Sequence, residues 1–317
     1  KRIKIKKMRN TWLKTLYKIS HKNSKTVFIG SDLGANVMND FKKSFPNRFF
    51  MEGISEQHII GLAAGLSMNG FLPYVNTIAT FLTRRCFEQN MIDLCLHNLP
   101  VKLIGNGGGL VYGPLGPTHQ AIEDFAIMNT MPNMTIVAVC DAHEMKNLIE
   151  QSVKMKGPLY VRLSRGGEKI ISNKKKFKLG KLVVYKKPEK ITLLSTGTMA
   201  QECLKAADIL KKQNINCGVI HFHTIKPFDM IGLSKQIKHV KNIITVEEHI
   251  STGGLGSIVL ENLNKLNKLN KIKVDKICLP NAFNKFYGTH DELKEHYNLN
   301  YNQIIKKIKE IKNSEKK

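Results

Sequence analysis

The chain reads as short runs of consecutive apolar, largely β-branched residues, separated by longer stretches in which apolar positions recur every three or four residues. Runs at 26–29, 48–51, 72–77, 101–104, 135–139 and 159–163 have the length of buried strands. Helical spacing fills 36–44, 56–69, 84–97, 120–129 and 143–155, between most of them. Strands alternating with helices build a mostly parallel sheet covered on both faces, because each crossover helix must lie against the sheet that it joins. From 166 to 190 the pattern lapses into glycine and lysine, including NKKK, as a linker or covering hairpin would. A second alternation follows, with strands expected at 191–195, 217–222, 243–247 and 272–278 and helices at 199–212, 230–238 and 255–264, then a charged terminal helix over 301–311. The expected fold class is α/β: two consecutive three-layer domains with mostly parallel sheets. The expected boundaries are a basic N-terminal extension over 1–19, a first domain over 20–170, a linker over 171–189 and a second domain over 190–317.

Composition narrows the function classes. A chain of 317 residues, 42% hydrophobic, supplies two ordinary cores, and no apolar run approaches the roughly 18 residues of a membrane-spanning helix. Six scattered cysteines without a CxxC pair suit reduced thiols, and a cytoplasmic protein is expected. Fifty Lys and Arg against 25 Asp and Glu leave a net charge of +25, which raises the question of nucleic acid. The excess is lysine interleaved with asparagine, leucine and isoleucine, as in NKLNKLNK over 264–271, and reads as a solvated face, so neither a nucleic-acid nor a membrane partner is expected. The basic first 18 residues lack the continuous apolar core of a secretory signal. His221 and His223 point the same way from a strand, but no third ligand accompanies them, and no metal site is expected on this chain.

The chemistry concentrates in the first domain. GISEQH, residues 53–58, follows a strand and opens a helix, with Ser55 as the expected cap and Glu56 in the first turn. On spacing alone a carboxylate there complements the helix dipole. ATFLTRR, 79–85, puts Phe81 where strand gives way to helix and Arg84 three residues on. A glycine-rich loop, Gly105 to Gly109, leads into YGPLGPTHQAIED over 112–124, which delivers Thr118, His119 and Gln120 to the opening of another helix. YVRLSRG over 160–166 ends the domain with Arg162 and Arg165.

In this order and strand context, SEQH and GPTHQ resemble the thiamine diphosphate enzymes of the transketolase group, in particular the separate C-terminal subunit of split transketolases, over about residues 20–265. The resemblance implies a pyrimidine-binding domain followed by a transketolase C-terminal domain. It implies that Glu56 hydrogen-bonds the aminopyrimidine ring from a dry pocket, and that the cofactor supplies the nucleophile, so that no Ser/His/Asp arrangement is called for. Phe81 would stack on the pyrimidine and Arg84 would join the cofactor site. His119 would meet the donor carbonyl or hydroxyl and assist proton transfer, and Arg165 and Arg162 would contact a sugar phosphate. Leu115 stands where the family has an aspartate that reads a substrate hydroxyl, and Gly107 to Gly109 stand where it has a histidine or arginine for phosphate. The family's Gly-Asp-Gly motif is missing: Gly30 to Leu33 form only a GSDL turn. Magnesium and its ligands are therefore expected from a separate N-terminal subunit, in an α2β2 assembly in which this chain alone is inactive. The implied reaction is transfer of a two-carbon ketol unit between small sugars. The alternatives are a subunit like deoxyxylulose phosphate synthase or the β subunit of a 2-oxo acid dehydrogenase, and a non-catalytic interaction subunit.

Overall fold

The computed structural model describes residues 7–31, 38–164, 168–172 and 176–314. In the first half α1 (Met8–Ser20) leads into β1 (Thr26–Gly30), α2 (Asn39–Ser44), β2 (Phe49–Met51), α3 (Glu56–Met68) and β3 (Leu72–Ile78). Wide π-helical turns at Phe81–Arg85 and Asn90–Leu96 flank the short α4 (Phe87–Gln89). Then come β4 (Lys102–Asn106), α5 (Asp124–Asn129), β5 (Thr135–Ala138), α6 (Ala142–Ser152) and β6 (Leu159–Leu163). The second half runs β7 (Val183–Lys186), β8 (Ile191–Ser195), α7 (Met199–Lys212), β9 (Gly218–His221), β10 (Thr224–Lys226), α8 (Met230–Gln236), β11 (Asn242–Ile250), α9 (Leu255–Lys265), β12 (Lys273–Leu279), α10 (His290–His296) and α11 (Tyr301–Ser314).

Two sheets result, ordered β10-β5-β6-β4-β3-β1-β2 and β12-β11-β8-β9-β7. All pairs are parallel except β10 with β5 and β7 with β9, at one edge of each sheet. β1, β4, β6 and β8 are buried at every residue, as strands covered on both faces must be, and that is why they appear in the sequence as mostly apolar runs, broken only by polar residues such as Lys102 and Arg162. The α/β class with two mostly parallel sheets is as expected. None of the described helices is long and apolar enough to cross a membrane, and all six cysteines are free.

The differences have local causes. The stretch set apart as an N-terminal extension carries α1, whose Met8, Trp12, Leu13 and Leu16 are buried against the outer face of the first sheet, with Trp12 stacked on Phe28 at 6.1 Å. Lysines between these positions dilute the apolar signal while leaving its helical spacing intact. The segment read as a linker contains β7, which pairs with β9. β10 leaves the second half to pair with β5 at the edge of the first sheet, with Lys226 Nζ donating to the carbonyls of Asn129 and Met131. One apolar core accordingly runs from Ile59 and Leu103 of the first half to Phe222, Ile243 and Val259 of the second.

Candidate active site

α3 opens at Glu56, after a turn in which Gly53 takes φ +66°. Ser55 does not cap the helix: its hydroxyl donates to the Glu52 carbonyl at 2.7 Å. Glu56 is turned inward, its side chain 1% exposed, and Arg85 Nη1 donates to its Oε2 at 2.5 Å. Oε1 has no hydrogen-bond partner among the described residues. The Arg85 guanidinium lies over the Phe81 ring, 4.4 Å from its centre. Phe81 also meets His119, edge-on at 5.2 Å and 67°. Arg85, which the sequence reading passed over, thus links Glu56 to Phe81, and Phe81 in turn meets His119.

His119 does not sit at a helix opening. Residues 116–123 form a loop, and α5 starts only at Asp124. Gly116, at φ +73°, turns this loop; the His119 N–H donates to the Gly116 carbonyl at 3.1 Å, and Thr118 Oγ1 lies 2.9 Å from His119 Nδ1. From the other side Asn284 Nδ2 donates to Gln120 Oε1 at 3.1 Å, so the second half of the chain braces the loop.

Arg84 takes up a different task from the one expected of it. Its fork donates to the carbonyls of Pro117 at 3.0 Å and Gln120 at 2.9 Å, and Nε pairs with Glu123. It therefore holds the histidine loop, and its charge is committed there rather than at the Glu56 cluster. The reason is geometric: in the wide turn Phe81 and Arg85, four residues apart, lie one above the other, while Arg84 projects to the side.

Arg162 also departs from its expected role. Its side chain is 8% exposed, and its Nη2 donates to the carbonyls of Ala121 and Glu248, both at 2.7 Å. Its Nε lies 3.3 Å from Asp124 Oδ2, and the guanidinium covers Phe125 at 4.4 Å. Two of its nitrogens and one face of the guanidinium are engaged inside the protein, a role in joining the halves that the sequence reading did not foresee. Arg165 falls outside the described residues, as do Asp32 and Leu33 of the GSDL turn.

The triglycine loop has a packing cause. Gly107 and Gly109 take φ +77° and +66°, and a side chain at 107, 108 or 109 would collide with Tyr112, Arg162 or Glu248 respectively. Glu248 receives the Leu110 N–H at 2.5 Å and His290 Nε2 at 2.8 Å. Burial opposes the charge on its carboxyl, but His290, Arg162 and that N–H outweigh it and hold its pKa below the usual value. Leu115, in the expected place of a substrate-reading aspartate, is 51% exposed.

His221 does find company from the first half. Cys140, Glu144 and His221 bring three ligand-type atoms within 4.8 Å, all buried. Glu144 Oε2 is already engaged, receiving the Cys140 N–H at 2.8 Å and lying 3.3 Å from His221 Nε2. Burial works against the Glu144 charge, yet His221 brings its pKa down to about 2, and burial holds the Cys140 thiol well above its ordinary value. The trio is a hydrogen-bonded seam between the halves, and neither Glu56 nor His119 belongs to it.

Comparison with known proteins agrees with this layout. Residues 5–167 match the family model of the transketolase pyrimidine-binding domain, and residues 180–304 that of the transketolase C-terminal domain. The chain is 35% identical over 315 residues to a putative transketolase C-terminal section of Methanocaldococcus jannaschii, covering 96% of each. It is 32% identical to a 1-deoxy-D-xylulose-5-phosphate synthase of Desulforudis audaxviator, where 92% of this chain spans only 46% of that protein. Among solved structures, a split-gene transketolase described as an inactive β4 tetramer superposes with a TM-score of 0.87 at 32% identity, covering 96% of this chain and 97% of that one.

Proposed function

The chain belongs to the transketolase family, as a relative of its split C-terminal subunits, and on that premise we propose that it is the pyrimidine-binding subunit of a thiamine diphosphate-dependent transketolase that moves a two-carbon ketol unit from a ketose to an aldose. The observation that carries this reading is Glu56: a buried carboxylate with one oxygen held by Arg85, the other without a partner among the described residues, and the half-buried Phe81 ring on the same arginine. A free carboxylate oxygen and an aromatic ring held by one arginine fit an aminopyrimidine, which offers a ring nitrogen to hydrogen-bond and a flat surface to stack. When bound, the cofactor supplies the carbon nucleophile that accepts the ketol unit. Glu56 holds the pyrimidine through Oε1 and shares a proton there, and Phe81 sets its plane. His119, on the far edge of Phe81, receives or delivers protons at the sugar carbonyl and hydroxyl, and Arg165 takes the sugar phosphate.

The diphosphate end and its magnesium ion call for ligands that no described residue brings to Glu56, and in this reading a separate N-terminal subunit supplies them, in an α2β2 assembly. Gly61 and Gly65 support such a partner, because added side chains there would touch nothing among the described residues within 4 Å outside their own helix, and Ile54, in the turn before that helix, is 74% exposed. The β4 tetramer of the split-gene relative, described as inactive, points the same way. A decarboxylating reaction is the second reading, favoured by the similarity to the synthase. Pyruvate-dependent release of carbon dioxide distinguishes it from ketol transfer.

The test is isolation of the complex through a tag on this chain, followed by exchange of the proton on the thiazolium carbon of added thiamine diphosphate. Glu56→Gln is expected to slow that exchange by about 100-fold or more. Exchange at the wild-type rate in Glu56→Gln, or recovery of no partner chain, overturns the assignment.

A further inference from the structure

We infer that Arg85 is the positioning residue of the candidate catalytic carboxylate, an inference that rests on the cofactor reading of Glu56. A carboxylate at the first residue of a helix has several rotamers open to it, yet to meet a ring nitrogen it must hold one. Arg85 selects that rotamer: Nη1 binds Oε2 at 2.5 Å and leaves Oε1 without a partner among the described residues. The same guanidinium lies over the Phe81 ring, 4.4 Å from its centre, so the opposite face of that ring is the one left for a stacking partner. One side chain thus orients both the hydrogen-bonding and the stacking group.

The wide turn over Phe81–Arg85 separates the two arginines. An ordinary α-turn would keep both 84 and 85 near the face of Phe81, as its third and fourth neighbours along the chain, whereas the wider turn keeps 85 there and swings 84 to the side. The turn is itself fixed from within: Asn90 Nδ2 donates to the Leu82 carbonyl at 2.6 Å, and Thr83 Oγ1 to the Ala79 carbonyl at 2.9 Å. The Arg85 side chain is 42% exposed, so the ion pair contributes little to folding. The Glu56 side of the pair is buried, and that is where orientation matters.

The experiment uses the complex isolated through a tag on this chain, with Arg85→Ala, Arg85→Lys, Glu56→Gln and the double variant Glu56→Gln/Arg85→Ala, each checked for an unchanged melting midpoint. Thiamine diphosphate affinity is read by calorimetry, and proton exchange at the thiazolium carbon by NMR. Arg85→Ala is expected to slow exchange by about 10- to 100-fold, the scale of an ångström of misplacement, while affinity falls by less than about tenfold. Arg85→Lys, with the charge but without the fork, is expected between the two, and added guanidinium ion to restore part of the Arg85→Ala rate. In the Glu56→Gln background Arg85→Ala is expected to change the exchange rate no further, because the carboxylate that it positions is gone. The inference is overturned if Arg85→Ala exchanges like wild type, or slows exchange equally with and without Glu56. If the wild-type complex binds no thiamine diphosphate, the functional reading itself fails and takes this inference with it, so the two failures are told apart by the wild-type titration.

Discussion

Three arginines within reach of the site have three different fates, and only their surroundings distinguish them. Arg84 spends its fork on the backbone of the histidine loop, Arg85 holds Glu56, and Arg162 is sealed between the halves. Guanidinium groups favour such multiple engagement because five donors lie in one rigid plane. Removing Arg162 leaves Asp124 buried beside Phe125 with its charge partner gone, and burial already holds the Asp124 pKa above the ordinary carboxylate value. Arg162→Met is therefore expected to cost about 3–5 kcal/mol in chemical denaturation. A sugar-phosphate contact would behave differently: stability would hold and the KM for a phosphorylated sugar would rise.

Among the elements, α1 carries more of the fold than its sequence advertises. Trp12 is fully buried, stacked on Phe28, and joins the cluster that α6 closes over the first sheet. Trp12→Ala is expected to destabilise the protein by about 3–5 kcal/mol, read as a drop in the urea midpoint. A change within about 0.5 kcal/mol would return residues 8–20 to the status of an extension. The wide turns at Phe81–Arg85 and Asn90–Leu96 are the counterpart nearer the site. They keep helical spacing well enough to be expected as one helix, while shifting which residues face inward.

For the whole molecule, the seam between the halves concentrates buried titratable groups and makes stability pH-dependent. Burial lowers the pKa values of His223 and His249 to about 4, from an ordinary 6.5. Glu144, His221 and Asp229 face the former, Arg162 and Glu123 the latter. Below pH 6.5 the unfolded chain takes up protons that these folded histidines refuse, so their contribution is lost as the pH falls toward 4. Glu247 acts in the opposite sense: burial raises its pKa to about 7 from 4.5, so its contribution is lost as the pH rises through that interval. Asp124, also raised by burial, acts in the same sense as Glu247, so between pH 4.5 and 6.5 the two histidines increase the unfolding free energy with pH while the two carboxyls decrease it. In His223→Gln/His249→Gln only the carboxyls remain, and the pH slope of the unfolding free energy from urea denaturation is expected to fall below that of the wild type by on the order of 2 kcal/mol per pH unit; an unchanged slope would remove the histidines from this balance.

The strand-helix alternation and the α/β class were legible in the sequence because each depends on local periodicity, whereas Glu56, Phe81 and His119 were grouped only by the family resemblance that their short motifs carry. A buried parallel strand has to be an apolar run, and a helix that opens with a carboxylate shows it at a fixed spacing from the strand before. The edge strand β10 crossing into the first sheet, the burial of α1, and the division of labour among Arg84, Arg85 and Arg162 were not legible. Neighbouring arginines have the same local chemistry; which of them faces a carboxylate is decided by a fraction of a helical turn and by groups up to 164 residues away, as Asn284 is from Gln120. The sequence by itself determined the kinds of groups present and the elements that carry them. Only the tertiary structure decided which charges are spent on holding the protein together and which remain to meet a ligand, because that depends on contacts between segments far apart in the chain.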